Sequence, residues 1–227
     1  MAARVIVNGA GLLADHSGAL YWPERKTLVV ADLHFEKGSS FARRGVLLPP
    51  YDTRVTLERL AVLMRRYRPD RVICLGDSFH DVEGPTRLVD GDAARLRRLV
   101  DDHEWLWVVG NHDPSPPRSL GGTIVTELVA GPLAFRHQPQ GEVLAPGEVV
   151  GHFHPKATIS TRGRRVIGSC FVTDGMRMIL PALGAFTGGL DVLDAAISHL
   201  FGRAEFRVLV LGRERLHLFA RQFLAKE

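Results

Sequence analysis

Three predicted strands each end in polar side chains that could hold a metal ion. The clusters are Asp32-Leu33-His34, Gly76-Asp77 with His80-Asp81, and Gly110-Asn111-His112-Asp113. The second half of the chain adds His137 and then Gly151-His152-Phe153-His154, again directly after apolar runs. Because ligands of open α/β sheets bind outside the carboxyl ends of the strands, all five clusters point to one place in space.

The residue types in these clusters indicate metal-assisted hydrolysis. Any single cluster is typical of an ordinary turn, but five of them at five strand ends are not. Imidazole, carboxylate and amide ligands suit Mn, Fe or Zn, whereas a structural zinc cage usually contains thiolates. A carboxylate shared by two divalent ions would let them clamp the attacking and leaving oxygens of a phosphoryl group.

The elements that must position these residues alternate between strand and helix in the first half of the chain. We predict strands over 27–34, 71–77 and 104–113 and helices over 51–67 and 90–103. Asp52 or Thr53 is expected to cap the first of these helices, and Pro69 to follow its end. Near-continuous apolar strands separated by helices predict a parallel sheet that is covered on both faces.

After Pro117 the chain changes to short strands punctuated by Gly and Pro, and it ends in a predicted hairpin, RVLVLG with RLHLFA. A βαβ half followed by a β-rich half predicts two facing sheets flanked by helices. Residues 1–227 are long enough for one domain and require no second one. The hairpin either closes its sheet or pairs with a second copy, so a homodimer remains open.

Composition excludes some classes of protein. The chain is 45% hydrophobic and 24% charged, with no apolar run near the roughly 18 residues of a membrane span. Cys74 and Cys170 lie in apolar runs and are expected to be buried thiols in a reducing compartment. The N-terminus is interpreted as a strand and turn rather than a signal peptide. We therefore expect a cytoplasmic protein without a membrane partner.

The ordered set of clusters resembles the calcineurin-like metallophosphoesterase superfamily over about residues 28–155. More narrowly, DLHFEKGSSFARRGVLLPPYDT, LGDSFHD and GNHD resemble the PdeM family. Those bacterial phosphoesterases are associated with an ATP-dependent DNA ligase and a helicase, and they are proposed to be endonucleases of the DNA-damage response. The resemblance implies a four-layer α/β/β/α sandwich of two facing mixed sheets.

The same resemblance implies a role for each matching residue. Asp32, His34 and His154 would bind one divalent metal ion, Asn111, His137 and His152 a second, and Asp77 would bridge the two. A metal-bridging hydroxide would attack phosphorus, and His112 would stabilise the developing charge or protonate the leaving oxygen. Many relatives carry an acid three residues after the bridging aspartate, to orient that histidine. Here His80 takes that position and Asp81 follows, so either could orient His112, and the H-D pair favours a nuclease.

The stretch after the first cluster adds basic residues beside the expected metals. Lys37, Arg43 and Arg44 are candidate phosphate contacts, and Arg162, Arg164 and Arg165 form a second basic group. Three functions stay open. The first is a Mn-dependent phosphodiesterase or endonuclease acting on DNA in repair. The second is a phosphoesterase of nucleotides or other small molecules. The third is a non-catalytic scaffold of the same fold.

Overall fold

The first sheet is built mainly from the N-terminal half of the chain. The computed structural model describes residues 2–115, 118–141, 147–161, 163–202 and 205–225. Its first-sheet strands are β1 (Ala3–Val7), β2 (Ala10–Ala14), β3 (Leu20–Trp22), β4 (Thr27–Val30), β5 (Arg71–Leu75), β6 (Glu104–Val108) and β7 (Thr123–Val125). They lie in chain order. β1 to β4 pair antiparallel, and β4 to β7 pair parallel.

The second sheet follows from residue 128 onward. Its strands are β8 (Leu128–Ala130), β9 (Leu133–Arg136), β10 (Gly147–Val150), β11 (Lys156–Thr161), β12 (Arg164–Thr173), β13 (Arg177–Ile179), β14 (Arg207–Leu211), β15 (Leu216–Ala220) and β16 (Leu224–Ala225). The main order is β15-β14-β12-β13-β10-β9-β8, with β11 along the first part of β12 and β16 beyond it. β9, β10 and β13 are parallel neighbours, so this sheet is mixed too.

Helices cover the outer face of each sheet. They are α1 (Lys37–Ala42), α2 (Asp52–Tyr67), α3 (Gly84–Arg87), α4 (Asp90–Asp101) and α5 (Ala195–Ser198). The buried side chains of α2 and α4, among them Leu57, Leu60 and Leu96, pack on the first sheet. α5 and the 3₁₀ turn after it pack Ile197 and Phe201 on the second sheet.

A third apolar core lies between the two sheets. It joins Val29, Ile73 and Val108 of the first sheet to Phe135 and Phe171 of the second. Apolar side chains from both inner faces are thereby removed from water, which is the main force holding the sheets together. The predicted four-layer α/β/β/α sandwich is therefore confirmed.

Several local predictions are also confirmed. The N-terminus forms strand β1, a turn at Asn8-Gly9 and strand β2, and β14 pairs with β15 as the C-terminal hairpin. Cys74 and Cys170 are free and buried.

Among the described residues, every helix is too short or too polar to span a membrane. Arg162 of the second basic group, and Pro117, lie outside the described residues.

Two predictions about element ends are wrong. The three site strands end at Val30, Leu75 and Val108 rather than at 34, 77 and 113. The N-cap of α2 is Tyr51, whose side chain makes no capping hydrogen bond. Asp52 instead accepts from the main-chain N–H of Gly38 at 3.1 Å, and the Thr53 hydroxyl bonds Glu36. Tertiary contacts to the loop after β4 thus replace the local cap.

Candidate metal centre

The predicted ligands converge at one edge where the two sheets meet. Loops after the parallel strands β4, β5 and β6 carry Asp32 and His34, Asp77, and Asn111. Loops after the parallel strands β9 and β10 of the facing sheet carry His137, and His152 with His154. Parallel neighbours end at the same edge, so the topology brings together residues that are far apart in the chain.

The main chain at the ligands is strained. Asp32, His34, Asp77, His152 and His154 have φ values of 52°, 43°, 45°, 74° and 47°. The left-handed region costs an ordinary L-residue on the order of 1–3 kcal/mol, and such residues cluster at functional sites. These turns direct the side chains out of the strands and into the shared site, which explains why β4 and β5 end early.

Glycines in the same loops make room for the ligands. A Cβ at Gly76 would lie 2.4 Å from Nδ1 of His137, and one at Gly110 would lie 2.2 Å from the main-chain N and Oδ1 of Asp77. Gly76 also has a φ of 73°. The glycines directly before Asp77 and Asn111 are therefore required by close packing within the site.

One group of potential ligands contains Asp32, His34 and His154. Their ligand atoms lie within 4.8 Å of one another. Nε2 of His34 and Nε2 of His154 are 3.2 Å apart, and Nε2 of His154 lies 3.5 Å from Oδ1 of Asp32. The main-chain N–H of His152 donates to Oδ2 of Asp32 at 2.9 Å and so fixes that carboxylate. Each member therefore presents an acceptor atom to the same point.

A second group contains Asp77, His137 and His152, with Asn111 beside it. Nε2 of His137 lies 2.9 Å from Oδ1 of Asn111, 3.1 Å from Nδ1 of His152 and 3.4 Å from Oδ2 of Asp77. Nδ1–H of His137 donates to the carbonyl of Leu75 at 2.8 Å, because a carbonyl oxygen only accepts. The tautomer is thereby set, and Nε2 points to the cluster. A carbonyl partner of this kind is typical of a metal-binding histidine.

Asp77 stands between the two groups. Its Oδ2 is 4.0 Å from Nε2 of His34 and 3.4 Å from Nε2 of His137. Its Oδ1 accepts from the main-chain N–H of His112 at 2.9 Å. This is the position expected of a carboxylate shared by two ions.

The electrostatics of the cluster fit a cation. Burial and then the neighbouring His154 hold the pKa of His34 down, to about 2, so this ring is in the neutral form that binds metals. Burial alone would raise the pKa of Asp77, but hydrogen bonding to His137 and His112 lowers it to about 2. Burial opposes a charge on His137, yet the hydrogen bond to Asp77 and the charge of Asp32 raise its pKa. The donor set of imidazole, carboxylate and amide therefore fits divalent ions.

His112 lies at the rim of this cluster and is oriented by His80. Nδ1–H of His112 donates to the main-chain carbonyl of His80 at 2.8 Å, which leaves Nε2 free to act on a substrate. The two rings stack with centroids 5.3 Å apart. His34, His80 and His112 also form a third close group of ligand atoms. The His112 ring is therefore held by a hydrogen bond to the main chain of His80.

Asp81 makes its contacts elsewhere. Its Oδ2 accepts from Nη2 of Arg87 at 2.8 Å, and its Oδ1 accepts from the main-chain N–H of Glu83 at 3.0 Å. Burial alone would raise the pKa of Asp81, but hydrogen bonding to Arg87 and Ser40 lowers it to about 2. The structure therefore pairs Asp81 with α3 and does not bring it to His112, so a direct catalytic role stays only a prediction.

The three candidate phosphate contacts are not equivalent. Arg43 is paired with Glu83. Lys37 and Arg44 flank Phe41 in the chain, and the Phe41 ring lies 5.5 Å from the His80 ring. Burial, then the positive charge of Lys37, and more weakly that of Arg44, lower the pKa of His80 to about 4. Nζ of Lys37 lies 5.7 Å from the Phe41 ring centroid.

Two residues to which the sequence pattern assigned no role also contribute. Oδ2 of Asp113 accepts from the main-chain N–H groups of Ser78 and Phe79, at 2.8 and 3.0 Å, and so holds the loop after Asp77. Nε2 of Gln138 lies 3.4 Å from Nδ1 of His152. The sequence offers only one signal for these two residues, which is their position next to predicted site residues. Asp113 follows His112, and Gln138 follows His137.

Comparison with known proteins identifies the class. The family model described as calcineurin-like phosphoesterase matches residues 25–176, so the chain belongs to that family. The structure is similar to the crystal structure of Pseudomonas putida nuclease MPE, with 28% identity and a TM-score of 0.74 over 96% of this chain and 100% of that one. It also matches Yfce, a phosphoesterase from E. coli, at 13% identity and a TM-score of 0.44 over 86% of this chain and 98% of that one. No curated protein sequence matches significantly.

Proposed function

We propose that this phosphoesterase is a phosphodiesterase that cleaves DNA and depends on two divalent metal ions. The observation that carries the proposal is the convergence of the two ligand groups on Asp77, with His112 at their rim. Asp32, His34 and His154 would hold one ion, and Asn111, His137 and His152 the other, with Asp77 shared. When bound, the ions would supply charge stabilisation and an activated water.

The chain's own contribution to the chemistry centres on His112. Its Nδ1–H is held by the carbonyl of His80, so Nε2 is the atom that would donate a hydrogen bond or a proton to the leaving oxygen. Lys37 and Arg44, close to His80, would attract the phosphates next to the scissile one. The fixed main-chain N–H contacts to Asp32 and Asp77 keep both carboxylates in place before substrate arrives.

DNA is preferred over a small phosphate ester for one reason besides the H-D pair in the sequence. The similarity to a nuclease extends over nearly the whole of both chains. The same proposal has five further parts. They are membership of the PdeM family, manganese as the metal, a role in DNA repair, association with a ligase and a helicase, and a cytoplasmic location.

The deciding experiment adds Mn²⁺ to metal-free protein and compares hydrolysis of an aryl phosphodiester, an aryl phosphomonoester and single-stranded DNA. We expect diester and DNA cleavage, lost in Asp77→Ala and retained in Asp102→Ala, a change at an exposed aspartate. Hydrolysis of small esters without DNA cleavage would favour the small-molecule phosphoesterase. If no substrate is hydrolysed with Mn, Fe or Zn, the non-catalytic scaffold is the function that remains.

The role of His112 has a separate test. His112→Ala is expected to lose turnover while it retains both metal ions, and His217→Ala, at an exposed strand position, should keep both properties. Metal content would be measured on the purified variants. Loss of one ion from His112→Ala would show that this residue is a ligand instead.

A further inference from the structure

A cleft of about 520 Å³ opens directly beside the candidate metal centre. It shares Asn111 and His137 with that centre, and its other polar lining includes Glu127, Arg136, Gln138 and Gln140. Helix α1 also lies beside the centre, since its Phe41 ring is 5.5 Å from the His80 ring and Nζ of Lys37 is 5.7 Å from the Phe41 ring.

The charges that line the cleft are already paired with each other. Nε of Arg136 donates to Oε2 of Glu127 at 2.6 Å, and its Nη1 donates to Oε1 of the buried Glu148 at 2.7 Å. A phosphate in the cleft would have to compete with two carboxylates for this arginine. The site therefore differs from the α1 side, where Lys37 and Arg44 supply positive charge, and it is unsuited to a second phosphate.

What the cleft offers instead is carboxamides. Gln138 and Gln140 are exposed, and within the described ranges the side chain of Gln140 has no hydrogen-bond partner. A carboxamide carries both donors and an acceptor, which match the edges of a nucleobase or the hydroxyls of a sugar.

The main chain of the wall that carries Gln140 is bonded to two buried side chains. Its main-chain N–H donates to Oε1 of Glu148 at 3.1 Å, and the carbonyl of Gly141 accepts from Nη2 of Arg177 at 2.8 Å. Arg177 and Glu148 are 1% and 2% exposed and are paired at 2.7 Å. Because these buried contacts fix the main chain at Gln140, only side-chain freedom is left to lose when a ligand binds.

We propose that this cleft is the subsite for a nucleoside attached to the scissile phosphate, recognised by the carboxamides of Gln138 and Gln140. The inference rests on the proposed function and specifies its substrate. Flanking phosphates would lie on the opposite, basic side, along α1. The substrate would then lie across the metal centre, with its nucleoside on one side and its flanking phosphate groups on the other.

Photo-crosslinking tests the position of the nucleoside without requiring turnover. A thymidine dinucleotide that carries 4-thiothymidine and a non-hydrolysable methylenephosphonate linkage would be irradiated with the protein in the presence of Mn²⁺, and the labelled peptides mapped. We expect label within residues 126–140, and its removal by excess unlabelled dinucleotide. Label confined to residues 37–44, or scattered over the surface and not competed, would overturn the inference.

Substrate selectivity tests the role of Gln140. The measured quantity is the ratio of kcat/KM for thymidine 5′-(4-nitrophenyl phosphate) to kcat/KM for methyl 4-nitrophenyl phosphate, which lacks a nucleoside. In Gln140→Ala we expect this ratio to fall about five- to tenfold, as for loss of one hydrogen bond to substrate. The matched control Gln222→Ala, at an exposed position far along the chain, should leave it unchanged.

The two proposals fail in different ways. An equal fall for both substrates in Gln140→Ala, or no fall, would refute the nucleoside subsite and leave the phosphodiesterase intact. If neither ester is hydrolysed with any divalent metal, the proposed function fails, and the crosslinking map still decides whether the cleft binds a nucleoside.

Discussion

The protein contains two neighbouring clusters of buried charged residues, an ion cluster and the candidate metal centre, and their charges are compensated in opposite ways. Arg136 of the first directly precedes His137 of the second. In the ion cluster, which consists of Arg136, Glu148 and Arg177, the buried carboxylate is paired with two arginines. Arg177 also donates to main-chain carbonyls at Leu200 and Gly141.

The candidate metal centre, in contrast, collects acceptors. Asp32 and Asp77 are 0% and 2% exposed, and within the described ranges neither contacts an arginine or lysine. Their neighbours are imidazoles whose nitrogen atoms converge with 3.1–3.2 Å separations. Buried charge that is complete without a ligand serves structure, whereas buried charge that is left uncompensated indicates a cation that binds there.

The largest expected effect comes from neutralising the metal centre. Asp32→Asn keeps an acceptor for the N–H of His152 but removes the charge that would hold an ion. We expect kcat/KM on a phosphodiester to fall at least about a thousandfold, because a bound ion contributes several kcal/mol to the transition state. The free energy of unfolding of the metal-free variant should stay within about 1 kcal/mol of wild type. A large loss of stability would mean that Asp32 is a structural residue.

The ion cluster should respond with the opposite pattern. Arg177→Met leaves Glu148 buried beside a single arginine, and we expect the free energy of unfolding to fall by about 3–5 kcal/mol. Urea denaturation would measure it, with Arg207→Met as the exposed control. Adding Glu148→Gln to Arg177→Met should recover part of the loss, since it removes the unpaired charge. If Arg177→Met alone is as stable as wild type, the ion cluster does not stabilise the fold as described.

A third cluster, remote from the site, gives a smaller, pH-dependent effect. Asp15 accepts from Oη of Tyr67 at 2.5 Å and from Nη1 of Arg66 at 2.7 Å. Burial alone would raise the pKa of Asp15, but hydrogen bonds from Tyr67 and Ser17, and more weakly from Arg66, lower it from 3.8 to about 2. The stabilisation is therefore present above pH 4 and is lost as the pH falls through 2. We expect the stability difference between wild type and Asp15→Asn to shrink by about 1–2 kcal/mol between pH 6 and pH 2.5. A difference that does not change with pH would refute this.

The smallest effect concerns the basic side of the metal centre. Arg44 lies near His80, whereas Arg43 is already paired with Glu83. In Arg44→Ala, the slope of log affinity for single-stranded DNA against log salt concentration should become about 0.7 shallower, the value for one phosphate contact. Arg43→Ala should change it less. Equal changes in the two variants would remove the distinction between them.

The sequence predicts which side chains meet at the candidate metal centre better than it predicts their surroundings, for a physical reason. Ligands that follow parallel strands must meet at one edge, so strand order alone brings Asp32, Asp77 and Asn111 together. Side-chain partners across the sheet are not set by such a rule. Glu148 and Arg177 are paired only because they are register partners on β10 and β13.

Local rules also failed where tertiary contacts were stronger. Asp52 bonds the N–H of Gly38 instead of capping its own helix. The apolar pattern also does not predict where β4 and β5 end. The backbone turns into the left-handed region at Asp32 and Asp77, and a run of apolar residues does not reveal such a turn.

The central claim is that the acceptors of the candidate metal centre are arranged for two cations. Native mass spectrometry of metal-free protein titrated with Mn²⁺, combined with thermal unfolding, tests it most directly. We predict two ions per chain and a melting temperature that rises with Mn²⁺ concentration, with at least one ion lost in Asp77→Asn. A protein that binds no divalent ion, or whose stability is the same with and without them, would contradict the account.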